Sequence, residues 1–329
     1  MDSGELFCLP SFLVLIIIAL LSIYLVTCFL PRAKIDIKGQ YVLITGCDTG
    51  FGRATAIKLD KMGAYVLATC LTKEGEQSLK SEASDKLKTF QLDVTHSKQI
   101  KDVYEEIKTA ISPAGIWGVV NNAGILCLSP IEWSPLEDFK RSADVNIWGM
   151  IDVTKTFLPL IKKSKGRVVN LASMAGRIAC PFYGSYAVTK YAVEAFSDAL
   201  RREIRPWGIK VTMLEPGFFP TNIADPDFLE RELRKGWNHI SEELKNDYGE
   251  EYLQTAIGIA RNLRGHADIS DVVNAIIEGL TSASPSDRYM VGRDARYGLI
   301  PLSFFPASFS DFVINFVFKL PQPRCATYD

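Results

Sequence analysis

Tyr186 and Lys190 stand four residues apart in Tyr186-Ala-Val-Thr-Lys190, so on a helix they share one face. A phenol titrates near about 10 and is a poor base at neutral pH. A neighbouring ammonium stabilises the phenolate and lowers that value. Such a pair could take a proton from an alcohol, or return one to a forming alkoxide. Ser173 precedes the pair, at the end of the β-rich run 167–172. Its hydroxyl could hydrogen-bond a substrate oxygen and hold it in place. The same spacing also occurs on ordinary solvated helix surfaces. The pair therefore carries chemistry only if the surrounding elements bring it to a crevice.

Those elements alternate regularly. Short apolar runs at 41–45, 64–70, 88–92, 117–120, 167–172 and 209–214 read as strands. Helical segments separate them, including 51–62, 97–111, 136–163 and 186–205, with Gly63 ending the first. The pattern predicts an α/β fold: a doubly wound parallel sheet of Rossmann type, with helices on both faces. Ligands in such sheets bind at the carboxyl ends of the strands, where Ser173 falls. A further amphipathic helix is expected at 269–280 and a last strand at 288–292.

The first strand runs straight into Thr45-Gly46-Cys47-Asp48-Thr49-Gly50-Phe51-Gly52 and then a helix. Glycines let the backbone approach a ligand closely. The free N–H groups and partial positive charge of the helix start suit a pyrophosphate. Glycine-rich turns are often mere tight connections, but this one sits at the strand–turn–helix junction that phosphate binding requires.

The spacing TGxxxGxG, followed in order by Asn121-Asn122-Ala123-Gly124, Asn146, Ser173 and YxxxK, resembles the short-chain dehydrogenase/reductase family over residues 39–292. The resemblance implies a nicotinamide-dependent oxidoreductase. Asp93 and Val94 match the adenine contact, and Asn121, Ala123 and Gly124 the segment after the fourth strand. Glu215-Pro216-Gly217 matches the part lining the nicotinamide, with Thr221 placed to bond its phosphate or carboxamide. Lys190, beside Tyr186, would hold the nicotinamide ribose. Asn146 matches a fourth catalytic residue that positions a relay water. Asp93 could equally be a turn cap, the asparagines a loop network, and Asn146 a polar residue bonding helix backbone.

NAD-selective members carry an acid just after the second strand, and Thr69-Cys70-Leu71-Thr72 has none. NADP-selective members place a base in the glycine turn, where this chain has Asp48 and Thr49; Lys73 is a lone cation nearby. The balance points to NAD over NADP. ITGCDTGFG, ATCLTKEG and VEAFSDALRREIRPWGIKV resemble the membrane-bound retinol and hydroxysteroid dehydrogenase branch, related to D-3-hydroxybutyrate dehydrogenase. The implied reaction interconverts a hydrophobic alcohol and its aldehyde or ketone, with Ser173 and Tyr186 meeting the substrate. A small hydroxy acid is the alternative substrate, and a non-catalytic nucleotide-binding scaffold the alternative class. A serine hydrolase built on Ser173 lacks a GxSxG elbow. Pro181, Phe182, Tyr183, Phe218 and Phe219 could wall an apolar pocket. The resemblance also implies homo-oligomers.

The ends carry the membrane signals. Residues 12–30 form an uncharged apolar run. As a helix it would reach about 28 Å, near the roughly 30 Å of a bilayer core. Asp2 and Glu5 before it, and the absence of a small-residue cleavage site, favour a retained single-pass anchor over a signal peptide. Arg32, Lys34 and Lys38 follow, placing the catalytic part on the cytosolic side. With the family resemblance, this gives an endoplasmic reticulum membrane location. Residues 1–38 are then anchor and linker, 39–292 the catalytic domain with 225–264 as a substrate lid, and 293–329 an apolar tail. Pro301, Pro306 and Asp311 interrupt 299–320, which either lies at the membrane interface or packs on the domain or a partner. A net charge of −1 gives no reason to expect nucleic acid. Seven scattered cysteines without a CxxC pair and three distant histidines give none to expect a disulfide framework or metal site.

Overall fold

The computed structural model describes residues 14–20, 22, 33–262 and 268–326. They fall into two units. In the small one, residues 14–20 are helical and Lys34 bridges Ser282 antiparallel. Most of the predicted anchor lies outside the described residues. Among those described, no helix is long and apolar enough to cross a membrane.

The large unit is built on seven parallel strands, among the described residues: β1 (Tyr41–Ile44), β2 (Tyr65–Cys70), β3 (Leu87–Gln91), β4 (Gly118–Asn121), β5 (Arg167–Leu171), β6 (Lys210–Pro216) and β7 (Arg288–Val291). Their order is β3-β2-β1-β4-β5-β6-β7. The chain thus reverses direction across the sheet between β1 and β4, which opens a crevice at their carboxyl ends. β4 and β5 are buried at every residue, as strands covered on both faces must be. One apolar core packs Val42, Ile44, Val169 and Leu214 against α1 (Gly50–Lys61) and α10 (Ser270–Thr281). The other packs Leu43, Val119 and Val168 against α3 (Ser97–Ala110), α5 (Met150–Ser164) and α6 (Gly184–Ile204). α2 (Lys73–Glu82) links β2 to β3.

A buried polar ladder ties the middle of the sheet to its helices. Asn121 Nδ2 donates to Thr154 Oγ1 and to Asn170 Oδ1, both at 2.8 Å. Asn170 Nδ2 donates to Ser197 Oγ at 2.8 Å. The two hydroxyls end the ladder on the backbone carbonyls of Met150 and Val193.

The expected single helix over 136–163 is interrupted. α4 (Leu136–Ala143) gives way to a π-helical turn, Asp144–Gly149, before α5 resumes. The turn holds Asn146 inward, and its Gly149 leaves no room for a Cβ against Val94. The region predicted to cover the strand ends forms α7 (Pro226–His239), α8 (Glu242–Tyr248) and α9 (Glu250–Asn262). Trp133, fully buried, meets Trp237, Tyr248 and Tyr252 edge-on at 5.1–5.4 Å and anchors this group. The apolar tail folds as a π-helical turn, Asp294–Leu299, and then α11 (Ala307–Phe318), whose Ser310 and Ile314 face inward.

Candidate active site

A cavity of about 920 Å3 opens at the carboxyl ends of the strands. Gly46, Asp48, Thr49, Gly50 and Phe51 line one end, and Ser173, Tyr186 and Lys190 another part of its wall. Asp93, Val94, Ala123, Gly124, Pro216, Gly217 and Thr221 line it as well. Ser173 and the glycine turn therefore share one crevice.

The glycine turn is shaped by backbone that side chains would spoil. Gly46 and Gly50 have φ of +70° and +62°. A Cβ on Gly46 would come within 2.9 Å of Ala123 Cα, and one on Gly52 would strike Asn122. Asn122 staples the turn, donating from Nδ2 to the carbonyls of Thr45 and Gly46 at 2.8 and 2.9 Å. Thr45 Oγ1 accepts from the backbone N–H of Asn122 and Ala123. Thr49 caps α1 without a side-chain bond, so the first N–H groups of a 12-residue helix face the cavity end. This cradle fits an anionic diphosphate. Thr221 lies against Gly50, whose Cβ would sit 3.7 Å from Thr221 Cγ2, so it stands at the phosphate end.

α6 carries Tyr186 and Lys190 on its cavity face. Ser173, at the end of β5, hydrogen-bonds Tyr186 and accepts from the Ala175 N–H at 3.1 Å. Lys190 Nζ lies 5.4 Å from the Tyr186 ring centre and donates to the Leu171 carbonyl at 2.7 Å. Burial pushes the Tyr186 phenol up to about 12, only partly offset by Ser173. Burial likewise pushes Lys190 down to about 8, with Glu194, one turn along, opposing. The protein's own groups thus hold the phenol above its ordinary value, and the expected lowering draws on the charge of the cofactor as well as on the ammonium. Desolvation disfavours both charged forms more than their separation lets them stabilise each other.

Four predicted residues stand behind the wall rather than on it. Thr45 and Gly52 shape the turn, and Asn121 belongs to the buried ladder. Asn146 Oδ1 accepts from Ile125 N–H at 2.8 Å, while Nδ2 donates to Ile125 O and Thr189 Oγ1. A Cβ on Gly124 would lie 3.2 Å from Asn146 Oδ1 and 3.8 Å from Lys190 Nζ, so both groups converge on that glycine. Asp93 both lines the cavity and caps its own turn, accepting from Thr95 N–H and Oγ1. Of the expected apolar wall, Tyr183, Phe218 and Phe219 line the cavity, whereas Phe182 packs into the core under α9.

A family model described as short chain dehydrogenase matches residues 40–232. The chain belongs to the short-chain dehydrogenase family. Among curated relatives, dehydrogenase/reductase SDR family member 9 of Bos taurus is 42% identical over 285 residues, 85% of this chain and 88% of the relative. Retinol dehydrogenase 7 of Rattus norvegicus is 43% identical, covering 84% of this chain and 88% of its own. A short-chain dehydrogenase structure from Streptomyces avermitilis superposes with a TM-score of 0.68 at 24% identity, over 86% of this chain and 97% of that one. One from Burkholderia cenocepacia J2315, in complex with NADP, gives 0.65 at 20% identity, over 87% and 100%. This short-chain dehydrogenase thus sits in the branch that includes the retinol dehydrogenases, and its fold is one that takes a nicotinamide dinucleotide.

Sequence reasoning missed Asn122, Leu71 and Thr72. Asp48 accepts from the backbone N–H of Leu71 and Thr72 at 2.8 and 2.9 Å and from Thr72 Oγ1 at 2.7 Å. An acid does stand at the end of β2, delivered from the glycine turn. The spacing of the turn could not reveal this, because the contact spans more than twenty residues.

Proposed function

We propose that this short-chain dehydrogenase reversibly oxidises a hydrophobic alcohol, of retinol or hydroxysteroid type, to its aldehyde or ketone with NAD. The observation that carries this reading is the meeting of Ser173, Tyr186 and Lys190 in one cavity with the glycine-turn cradle and the aromatic rings of Tyr183, Phe218 and Phe219. The dinucleotide, bound along the cradle, would supply the hydride acceptor beside Pro216 and Gly217. Ser173 would hold the alcohol oxygen, and Tyr186 would take its proton or return one. Lys190 would hold the ribose, and Asn146, fixed at both amide atoms, would keep the loop at Gly124 in place.

Asp48 supports NAD over NADP. Its carboxylate lines the cavity at the end of β2, where a ribose 2′-phosphate would meet like charge. A hydroxy acid substrate would need a cation free to meet its carboxylate. Among the described lining residues the cations are Arg141 and Lys190. Arg141 bonds Cys127 Sγ and Asp138, both at 3.1 Å, and Lys190 bonds Leu171 O. Cytosol-facing anchoring in the endoplasmic reticulum membrane by residues 12–30 suits a lipid-dissolved substrate, with α7–α9 as its lid and a homo-oligomer as the assembly. The test supplies NAD with retinoids, hydroxysteroids and 3-hydroxybutyrate and follows NADH. Turnover of the lipophilic alcohols, lost in Tyr186→Phe, is expected; turnover that survives Tyr186→Phe overturns the mechanism, and NAD binding without turnover leaves a scaffold.

A further inference from the structure

A second cavity, about 940 Å3, lies between α9 and α11. Its walls are mainly apolar, including Ile259, Leu299, Leu302, Val313, Ile314 and Val317. Three of its polar members are engaged within the protein, while Tyr297 and Lys319 are exposed to solvent. Thr255 Oγ1 donates to Glu251 O, Asn262 Nδ2 to Gly258 O, and Asp294 Oδ2 accepts from Phe218 N–H at 2.7 Å. Such a space offers a polar ligand few partners and favours apolar surface.

Phe218 lines this cavity and the catalytic one. One side chain thus forms part of the wall of both. Its backbone is fixed by Asp294, while its half-buried ring rests 6.2 Å from that of Tyr183. A rotamer change could open the partition without moving the chain. The space on the far side is open: a methyl on Gly258 or Gly298, both in the lining, would meet nothing within 4 Å. At the rim Tyr297 and Val317 are exposed, and Phe312 and Phe316 continue the exposed apolar face along α11. A 12-residue helix is too short to span a bilayer, but its aromatic face suits the bilayer surface.

We propose that the second cavity is the entry vestibule for a lipophilic alcohol arriving from the bilayer, with Phe218 as its gate. This rests on the proposed substrate class. The test uses the full chain in phosphatidylcholine vesicles, with retinol dissolved in the lipid and cyclohexanol in the water. NADH binding, followed by its fluorescence, reports folding at the far end of the active cavity. Gly258→Trp and Gly298→Trp fill the vestibule from separate elements. Each is expected to lower kcat/KM for vesicle-borne retinol by about tenfold, the scale of steric discrimination in apolar pockets. Cyclohexanol turnover and NADH binding should stay within about twofold of wild type. Retinol turnover unchanged in either folded variant overturns the vestibule while sparing the substrate reading. Wild-type turnover of cyclohexanol but of neither retinol nor a hydroxysteroid carried in the same vesicles sinks the substrate reading itself, and the vestibule with it. If both tryptophan variants lose NADH binding, Phe218→Ala decides: faster retinol turnover from vesicles supports the gate, and an unchanged rate overturns it.

Discussion

At the scale of single residues, the site is a contest between burial and charge. Tyr186 is raised to about 12 and Lys190 lowered to about 8, each chiefly by desolvation. Alcohol oxidation needs the phenol to accept a proton, so its kcat/KM should climb with pH throughout the range below that value. Tyr186→Phe should cost about 10²–10⁴-fold, the usual worth of a general acid–base group. Lys190 gives a stability prediction with a definite sign. Between about 8 and the ordinary 10.5, the unfolded chain binds its proton more fully than the folded one. Folded-state stability from this group is thus present above 10.5 and lost as pH falls through about 8. Urea midpoints measured across that window should rise with pH more steeply in wild type than in Lys190→Met. Asp48→Asn keeps an acceptor for Thr72, turns its NH2 toward the Leu71 N–H, and drops the charge. It should move the NADP:NAD ratio of kcat/KM toward NADP by about tenfold, the equivalent of 1.4 kcal/mol. Tyr186, Lys190 and the glycines were legible because their spacing is local. Asn122 stands inside the Asn-Asn-Ala-Gly motif, but its grip on Thr45 and Gly46 depends on β1 lying beside β4, which no spacing states.

At the scale of elements, strands and most helices were legible because their apolar periods are strong and the sheet is buried on both faces. The π-helical turn at Asp144–Gly149 was not. Its residues fit a helical period, and within the turn Asn146 bonds both the N–H and the carbonyl of Ile125. π-turns of this sort recur at functional sites. Thr189, on α6, accepts the remaining Asn146 proton at 3.0 Å and so joins the turn to the helix of Tyr186 and Lys190. Thr189→Val leaves a buried donor unpaired and should cost about 1–3 kcal/mol, read by denaturant unfolding. A fall in kcat with little change in KM would assign it a positioning role; loss of stability alone would make it structural.

At the scale of the whole molecule, the ends of the chain hold what the sheet does not explain. As a helix, residues 12–30 would be long enough to span, whereas α11 presents Phe312 and Phe316 outward over one short helix. Membranes washed in alkaline carbonate should retain the full chain, and deletion of 1–30 should release it. Retention of the shortened chain would shift the anchoring role to the tail. Sequence reading left the tail open between interface and packing because 299–320 is apolar almost throughout. Which of its faces turns inward is decided by Ser310 and Ile314 meeting the domain.

With the Thr154 and Ser197 protons on their helix carbonyls, the polar ladder through Asn121 and Asn170 runs in one direction. It starts from an amide and finishes on helix carbonyls, so neither amide can flip without setting two acceptors face to face. Asn170→Asp, nearly the same shape, would put a carboxylate against the Ser197 oxygen in a fully buried position. That variant would have to fold with a proton aboard. Its melting temperature should fall away from wild type as the solution is taken from about pH 5 to about pH 8, making the centre of the sheet a titratable lock.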